Sequence, residues 1–256
     1  MSEVVVEISG AQCRITLNRP EKRNALNEAM LKGVSDGLKA AMADARVRVV
    51  VLTGAGDKAF CAGGDLAADG GFNFDFSRPR TAYGDLLRLS QDCPLPIIAA
   101  VNGHCLAGGI GLVALADIAV AVENAKFGLP EVKTGLFPMQ VMSLLARLVA
   151  PRTLREWALT GETFSAEAAR AAGLVNHVAP AGQLEAKVEA LAGALAARSP
   201  TAIRRGKYAL KALDGMSFEQ AIAFAEGQLG LLSLTGDAKE GFAAFNEKRD
   251  PRFRGD

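Results

Sequence analysis

Apolar residues in the first half of the chain fall into runs that are typical of β-strands. Val4 to Ile8 and Cys13 to Leu17 flank Gly10 and predict a β-hairpin. Three further runs are dominated by apolar residues: Val47–Leu52, Ile97–Val101 and Asp117–Val122. Continuous apolar runs of this length are typical of strands that are buried on both faces, as in a parallel sheet.

Helical periodicity occurs between these strands and dominates the last third of the chain. A first helix is predicted because one helical face would carry Met30, Leu31, Val34, Leu38, Ala41 and Met42. A second helix is predicted from about Gly109 to Ala116. Later helices are predicted at Ser165–Ala172, Gly182–Arg198, Thr201–Leu213, Phe218–Leu234 and Ala238–Phe245, with capping boxes at Ser217/Gln220 and Asp237/Glu240. Recurring strand–turn–helix units predict an α/β fold with a C-terminal helical region.

Composition removes several classes of function. The 256 residues carry a formal net charge of +1 and are 50% hydrophobic, without a basic run that would grip nucleic acid. No apolar run reaches the roughly 18 residues of a membrane span, and no signal peptide is recognisable. The four cysteines are scattered, and the two histidines complete no metal pattern. We expect reduced thiols, a cytoplasmic location, no metal and no membrane or nucleic-acid partner.

Two glycine-rich turns follow two of the predicted buried strands. Ala59–Leu66 comes after Val47–Leu52, and Asn102–Gly109 comes after Ile97–Val101. If each turn leads into a helix start, it offers backbone N–H groups without intrahelical partners. Two such turns on neighbouring strands can direct two N–H groups at one oxygen, which is an oxyanion hole. The alternative is that the glycines serve tight turns only.

A carboxylate in apolar company follows the third strand. Glu131 lies between Pro130 and Val132, after Phe127-Gly128-Leu129. Burial there would raise its pKa and suit it to proton transfer near neutral pH. The alternative is an exposed glutamate in a loop.

These features together resemble the enoyl-CoA hydratase/isomerase (crotonase) family from about Val5 to Arg252. The matching segments are Asn18-Arg19-Pro20, Asn24-Ala25-Leu26, Ala62-Gly63-Gly64-Asp65-Leu66, Ala100-Val101-Asn102-Gly103, Ala107-Gly108-Gly109, Ala116-Asp117-Ile118, Phe127-Gly128-Leu129-Pro130-Glu131, Thr160-Gly161-Glu162, Ala172-Gly173-Leu174-Val175 and Gly241-Phe242-Ala243-Ala244-Phe245 with Lys248-Arg249. The resemblance implies a spiral of strand–strand–helix repeats with a C-terminal helical region, and a homotrimer or hexamer. It also implies an acyl-CoA-binding core at 1–195 and a helical region at 196–256 that makes oligomer contacts or covers the active site.

The resemblance also implies roles for individual residues. The N–H groups of Gly64 and Gly108 would bind the thioester oxygen, and Glu131 would be the acid/base. The acyl-CoA would contact Ala25, Ala62, Gly63, Asp65 and Leu66, with Lys22 and Arg23 as phosphate partners. No separate cofactor is implied, because coenzyme A is part of the substrate.

One position departs from the hydratases that this sequence resembles. Those enzymes have a second glutamate three residues after the second oxyanion glycine, where this chain has Gly111. A single glutamate suits isomerisation of a 3-enoyl to a 2-enoyl thioester better than hydration. Hydration remains an alternative if a second acid comes from Asp69, Asp75 or Tyr83. A catalytically silent, acyl-CoA-binding member of the family is a further alternative.

Overall fold

The computed structural model describes residues 2–65, 75 and 77–256. In these residues the strands are β1 (Val4–Ser9), β2 (Gln12–Leu17), β3 (Val49–Gly54), β4 (Ala59–Cys61), β5 (Ile97–Val101), β6 (His104–Leu106), β7 (Ile118–Val122), β8 (Lys126–Gly128), β9 (Thr163–Ser165) and β10 (His177–Ala179). The α-helices are α1 (Glu28–Ala43), α2 (Ala82–Asp92), α3 (Gly108–Ala114), α4 (Met139–Leu148), α5 (Pro151–Thr160), α6 (Ala166–Ala171), α7 (Leu184–Ala196), α8 (Pro200–Leu213), α9 (Phe218–Ser233) and α10 (Gly236–Glu247). Two 3-10 helices span Pro20–Lys22 and Pro130–Thr134.

The larger sheet has the strand order β1-β2-β3-β5-β7-β10. β1 and β2 form the predicted antiparallel hairpin, and the remaining neighbours are parallel. β3 is apolar throughout because its alternate residues face two different hydrophobic clusters. Val50 and Leu52 face the main core, which includes Met30 of α1, whereas Val49 and Val51 face a second cluster. That second cluster includes Val188 and Ala192 of α7, so both faces of the strand are buried.

A smaller sheet has the order β4-β6-β8-β9, and each of its strands has three residues. β4, β6 and β8 are parallel, and β9 is antiparallel to β8. Each of the three parallel strands follows a strand of the larger sheet along the chain: β4 after β3, β6 after β5 and β8 after β7. Successive passes of the chain therefore add one strand to each sheet, which is the spiral that the family resemblance implied.

The predicted helices are present within a few residues, and three further helices were not predicted. These are α2, α4 and α5, which lie at positions where no helix was predicted. The Ser217–Gln220 capping box of α9 is confirmed. The capping box at Asp237 and Glu240 is wrong: Thr235 caps α10, and the Asp237 carboxylate accepts hydrogen bonds from Ser199 and from the chain's last residues.

The C-terminal helices meet the core through polar as well as apolar contacts. α7 packs across β3, β5 and β7. On α8, the Lys207 ammonium donates to the Leu95 carbonyl at 2.7 Å and to the Asp117 carboxylate at 2.6 Å. The division of the chain at 195/196 remains a prediction. Among the described residues, no helix combines the length and apolarity needed to cross a bilayer.

Candidate active site

Three loops that carry the predicted site residues leave the same edge of the small sheet. β4 leads to Gly63 and Gly64, β6 leads to Gly108, and β8 leads to Glu131. β6 lies between the other two strands and is parallel to both. Because parallel strands end at one edge of a sheet, the loops that follow them are brought together there.

The structure corrects the expectation that both glycine turns join a buried strand directly to a helix start. β4 and β6 intervene, so Gly64 and Gly108 follow strands of the small sheet rather than β3 and β5. Gly108 is the first residue of α3, as expected. Gly64 instead forms an isolated parallel bridge with Leu26. Three-residue strands give no periodicity, which is why the sequence did not reveal them.

The 62–65 turn runs alongside the segment 23–26. Leu26 donates its N–H to the Gly63 carbonyl at 2.7 Å, and Asp65 donates its N–H to the Leu26 carbonyl at 2.8 Å. Ala62 likewise donates to the Arg23 carbonyl at 3.0 Å. Two segments for which the family resemblance implied acyl-CoA contacts are thus adjacent in the fold.

Arg19 and Asn24 hold that pairing in place, and neither was assigned a role from the sequence. Asn24 is fully buried with a φ of 54°, accepts from the Arg19 N–H and donates to the carbonyls of Ala55 and Ala59. The Arg19 guanidinium donates to the Ala25 carbonyl at 2.8 Å and to the Asp65 carboxylate at 3.0 Å. Both residues lie in the segments that carried the family resemblance, which was the available signal.

The two glycine loops touch at Gly63 and Ala107. Gly63 has a φ of +95°, and a Cβ at that position would lie 2.6 Å from the Ala107 Cβ and 3.5 Å from the Gly108 nitrogen. Ala107 has a φ of 50°, which costs a residue with a side chain roughly 1–3 kcal/mol. Such strain persists where surrounding contacts enforce it, and it lies directly before the Gly108 N–H.

The N–H groups of Gly64 and Gly108 have no hydrogen-bond acceptor within the described part of the chain. For Gly108 the reason is its position, since the N–H groups in the first turn of a helix have no intrahelical carbonyl to which they can donate. The neighbouring N–H groups are engaged: Ala107 donates to the Gly128 carbonyl at 2.9 Å, and Asp65 donates to Leu26. Both loops therefore offer a donor to a ligand.

Glu131 lies in the 3-10 helix that follows β8, after the fully buried Leu129 and the half-buried Pro130. The Glu131 carbonyl accepts from the Thr134 hydroxyl and the Leu136 N–H, which fixes the backbone. Its Oε2 atom is buried and has no hydrogen-bond partner among the described residues. Burial raises the pKa of the Glu131 carboxyl above its ordinary value.

Tyr83 of α2, predicted from the sequence only as one alternative acid, reaches the same site. Its hydroxyl donates to the Gly108 carbonyl at 2.5 Å and lies against buried Gly111. Burial of the phenol raises the pKa of Tyr83 well above its ordinary value, and the Cys61, Cys105 and Glu131 acids add to that effect. The Tyr83 side chain is therefore neutral across the physiological pH range.

The other predicted residues lie in different surroundings. Lys22 and Arg23 are exposed at the end of the first 3-10 helix, and Asp75 is exposed and bonded to Ser77. Leu66 and Asp69 lie outside the described residues. Burial raises the pKa of Cys61 to about 12. Among the described residues, no group of three or more His, Cys, Asp or Glu side chains is arranged to hold a metal ion.

Comparison with known proteins gives consistent matches over the whole chain. The family model for enoyl-CoA hydratase/isomerase matches residues 7–256. The 2,3-dehydroadipyl-CoA hydratase of Escherichia coli (strain K12) is 36% identical over 260 residues, covering 100% of both chains. The structure of an enoyl-CoA hydratase from Bacillus anthracis gives a TM-score of 0.92 at 33% identity, covering 99% of this chain and 100% of that one. An enoyl-CoA hydratase from Mycobacterium tuberculosis H37Rv gives 0.90 at 36% identity, covering 100% of both.

The two stacked series of strands and the structural matches define a crotonase fold, as the sequence predicted. The chain belongs to the enoyl-CoA hydratase/isomerase family and is an acyl-CoA enzyme of that family.

The contact between the glycine loops predicts a large cost for Gly63→Ala. We expect a loss of about 2–5 kcal/mol in the free energy of unfolding, because the positive φ and the overlap with Ala107 both oppose a methyl group. Gly182→Ala is the matched control: its φ is +78°, but nothing lies within 4 Å of the added Cβ. The control should lose about 1–2 kcal/mol in urea unfolding. Equal losses in the two variants would contradict the proposed contact.

The half-buried Glu131 carboxyl, whose Oε2 atom is buried without a partner, predicts that Glu131→Gln is more stable than the native chain at neutral pH. The folded-state pKa lies above the unfolded value of about 4.5, so ionisation destabilises the folded state as pH rises through this range. The advantage of the variant should vanish below about pH 4.5, where both states are protonated. Urea unfolding between about pH 4 and pH 8 measures this, with Glu162→Gln as an exposed control. A variant that is less stable than the native chain at pH 7 would overturn it.

Proposed function

We propose that this acyl-CoA enzyme converts 3-enoyl-CoA to 2-enoyl-CoA thioesters, with Glu131 moving the proton and the N–H groups of Gly64 and Gly108 forming the oxyanion hole. The observation that carries the proposal is a buried carboxylate oxygen without a partner on one loop, and unengaged N–H groups on the two neighbouring loops. Position 111, where a second glutamate is found in similar hydratases, is a glycine.

The oxyanion hole acts when the substrate loses a proton at C2. Negative charge then moves from C2 to the thioester oxygen, and with a 3,4 double bond it spreads to C4 as a dienolate. Two backbone donors already in place stabilise that charge without reorganisation, and one such donor typically contributes about 10²–10³ in rate. The strained Ala107 backbone and the close contact with Gly63 support fixed positions for these donors.

Glu131 completes the reaction by returning the proton. Its carboxylate takes the proton from C2, and its carboxylic acid then delivers the same proton to C4 of the dienolate. The double bond moves from C3–C4 to C2–C3, and mass and charge are unchanged. A carboxyl with a raised pKa suits both halves, since it holds the proton long enough to transfer it.

The segments around the glycine turns support binding of the coenzyme portion. Ala25, Ala62 and Gly63 lie on the two paired segments, and the exposed Lys22 and Arg23 precede them. Exposed cations beside these segments suit the phosphates of coenzyme A. The Asp65 carboxylate is paired with Arg19, which supports a role in holding the 62–65 turn for the ligand.

Hydration of a 2-enoyl thioester is the second candidate. It is favoured by the 36% identity to an Escherichia coli protein named 2,3-dehydroadipyl-CoA hydratase. It would require a second group beside Glu131 to handle the water. A catalytically silent acyl-CoA-binding protein is the third, and the buried, partnerless Glu131 oxygen argues against it, because such a group is costly without a function.

Incubation with 3-enoyl-CoA and 2-enoyl-CoA in separate reactions tests the proposal. We expect the double bond of 3-enoyl-CoA to move at constant mass, as followed by ultraviolet absorbance and mass spectrometry. Glu131→Gln should reduce this turnover by about 10²–10⁴ while acyl-CoA still binds. Glu162→Gln is the matched control, because Glu162 is exposed and paired with Lys133. Water gain by 2-enoyl-CoA at a higher rate than isomerisation would favour hydration instead.

The C-terminal helices support assembly into a homotrimer or hexamer. α9 and α10 leave large apolar side chains exposed, with Phe218 at 77%, Leu229 at 68% and Phe245 at 82% of their full accessible surface. Large apolar side chains exposed on two helices that contact each other support an interface between chains.

Light scattering after gel filtration should therefore give three or six times the chain mass of 26.8 kDa. Phe245→Asp should lower that mass by placing a charge in the interface, whereas Phe245→Leu keeps the position apolar and should not. A native chain that elutes at 26.8 kDa would exclude the proposed assembly.

A further inference from the structure

Tyr83 and Gly111 fit each other so tightly that position 111 has no room for a side chain. The Tyr83 hydroxyl donates to the Gly108 carbonyl, and a Cβ built on Gly111 would overlap that hydroxyl. The same Cβ would lie 3.1 Å from the ring carbon Cζ of Tyr83 and 3.4 Å from the Val141 Cγ2. Position 111 is therefore closed by a ring from α2 and a side chain from α4.

The ring of Tyr83 is held by its helix. Thr81 caps α2 by accepting the Gly84 N–H, and the Gln140 side chain of α4 donates to the same Thr81 hydroxyl. Leu86 and Leu87 on the next turn of α2 are buried in the main core. The backbone of α2 is thereby fixed, and the hydrogen bond to the Gly108 carbonyl holds the end of the ring itself.

Position 111 faces the reaction site. It lies three residues after Gly108 in α3, and residues three apart lie on one face of a helix. Tyr83 contacts Gly108 and Gly111 together, and its phenol lies close enough to Glu131 for that carboxylate to affect its proton affinity. A side chain at 111 would enter the site beside the Gly108 donor.

We propose that Tyr83 determines which reaction the enzyme performs: its ring fills the volume that a second acid/base side chain at position 111 would need. Glu131 then acts without a second carboxylate from α3, and the proton that it takes from C2 returns to C4 rather than being exchanged with a bound water. The phenol that replaces the carboxylate is neutral and hydrogen-bonded to the backbone, so it adds no charge beside the thioester. This inference rests on the proposed isomerisation.

Opening the space and supplying a carboxylate should change the reaction. We expect Tyr83→Ala/Gly111→Glu to hydrate 2-enoyl-CoA about 10²-fold faster than the native chain, as measured by mass gain of the product. Tyr83→Ala/Gly111→Gln is the matched control, since it has the same size without an ionisable group, and it should gain less than about tenfold. Equal rates for the Glu and Gln variants would overturn the proposal. So would an equal gain from Gly111→Glu with Tyr83 intact.

A double-mutant cycle of melting temperatures tests the close contact between Tyr83 and Gly111 in case the double variants do not fold. Gly111→Ala should lower the melting temperature in the native background and lower it much less in the Tyr83→Phe background, where the overlapping hydroxyl is absent. Additive shifts would overturn the proposed fit. The isomerisation activity of Glu131→Gln separates a failure of the proposed function from a failure of the proposed role of Tyr83. If that variant keeps full activity, the proposed function fails. If it loses activity but the Tyr83 tests fail, the proposed function stands without the role of Tyr83.

Discussion

The active site depends on the contact between the 62–65 turn and the start of α3. Gly63 approaches Ala107 so closely that a single methyl group would separate the two loops, and Ala107 holds a left-handed φ that a residue with a side chain rarely adopts. This contact sets the distance between two N–H groups that have no acceptor among the described residues. The small sheet provides the rigid base, because β4 and β6 are hydrogen-bonded neighbours that end at one edge.

The same region combines unpaired donors with an unpaired acid. The buried Glu131 oxygen without a partner reduces stability, since a desolvated polar group costs free energy when it is not bonded. The surroundings offset this with well-satisfied groups: Asn24 uses its whole amide, and Arg19 connects the Ala25 carbonyl to the Asp65 carboxylate. The unpaired Glu131 oxygen therefore lowers the stability of the folded state, and the hydrogen bonds of Asn24 and Arg19 offset that loss.

Tyr83 and Gly111 are the pair on which the proposed choice of reaction rests. Gly111 alone indicates a missing carboxylate, but the structure adds that the space is filled by a ring anchored on α2. The two residues therefore constrain each other, since a side chain at 111 requires a smaller residue at 83. In a fold that serves several reactions on acyl-CoA thioesters, such paired positions are where the outcome of the reaction can be set.

The sequence by itself determined the layers of the fold and the segments of the site. The hairpin, the strands β3, β5 and β7, helix α1 and the C-terminal helices follow from periodicity, because each is long enough for burial on one or both faces to repeat along the chain. The glycine turns and Glu131 were found from local chemistry and from the resemblance to a family. Only the tertiary structure decided how these segments meet. The strands of the small sheet are too short to show a period, and the contacts of Gly63 with Ala107 and of Tyr83 with Gly111 join residues that are 44 and 28 positions apart. Local propensity carries no information about such pairs, because they depend on the packing of whole elements.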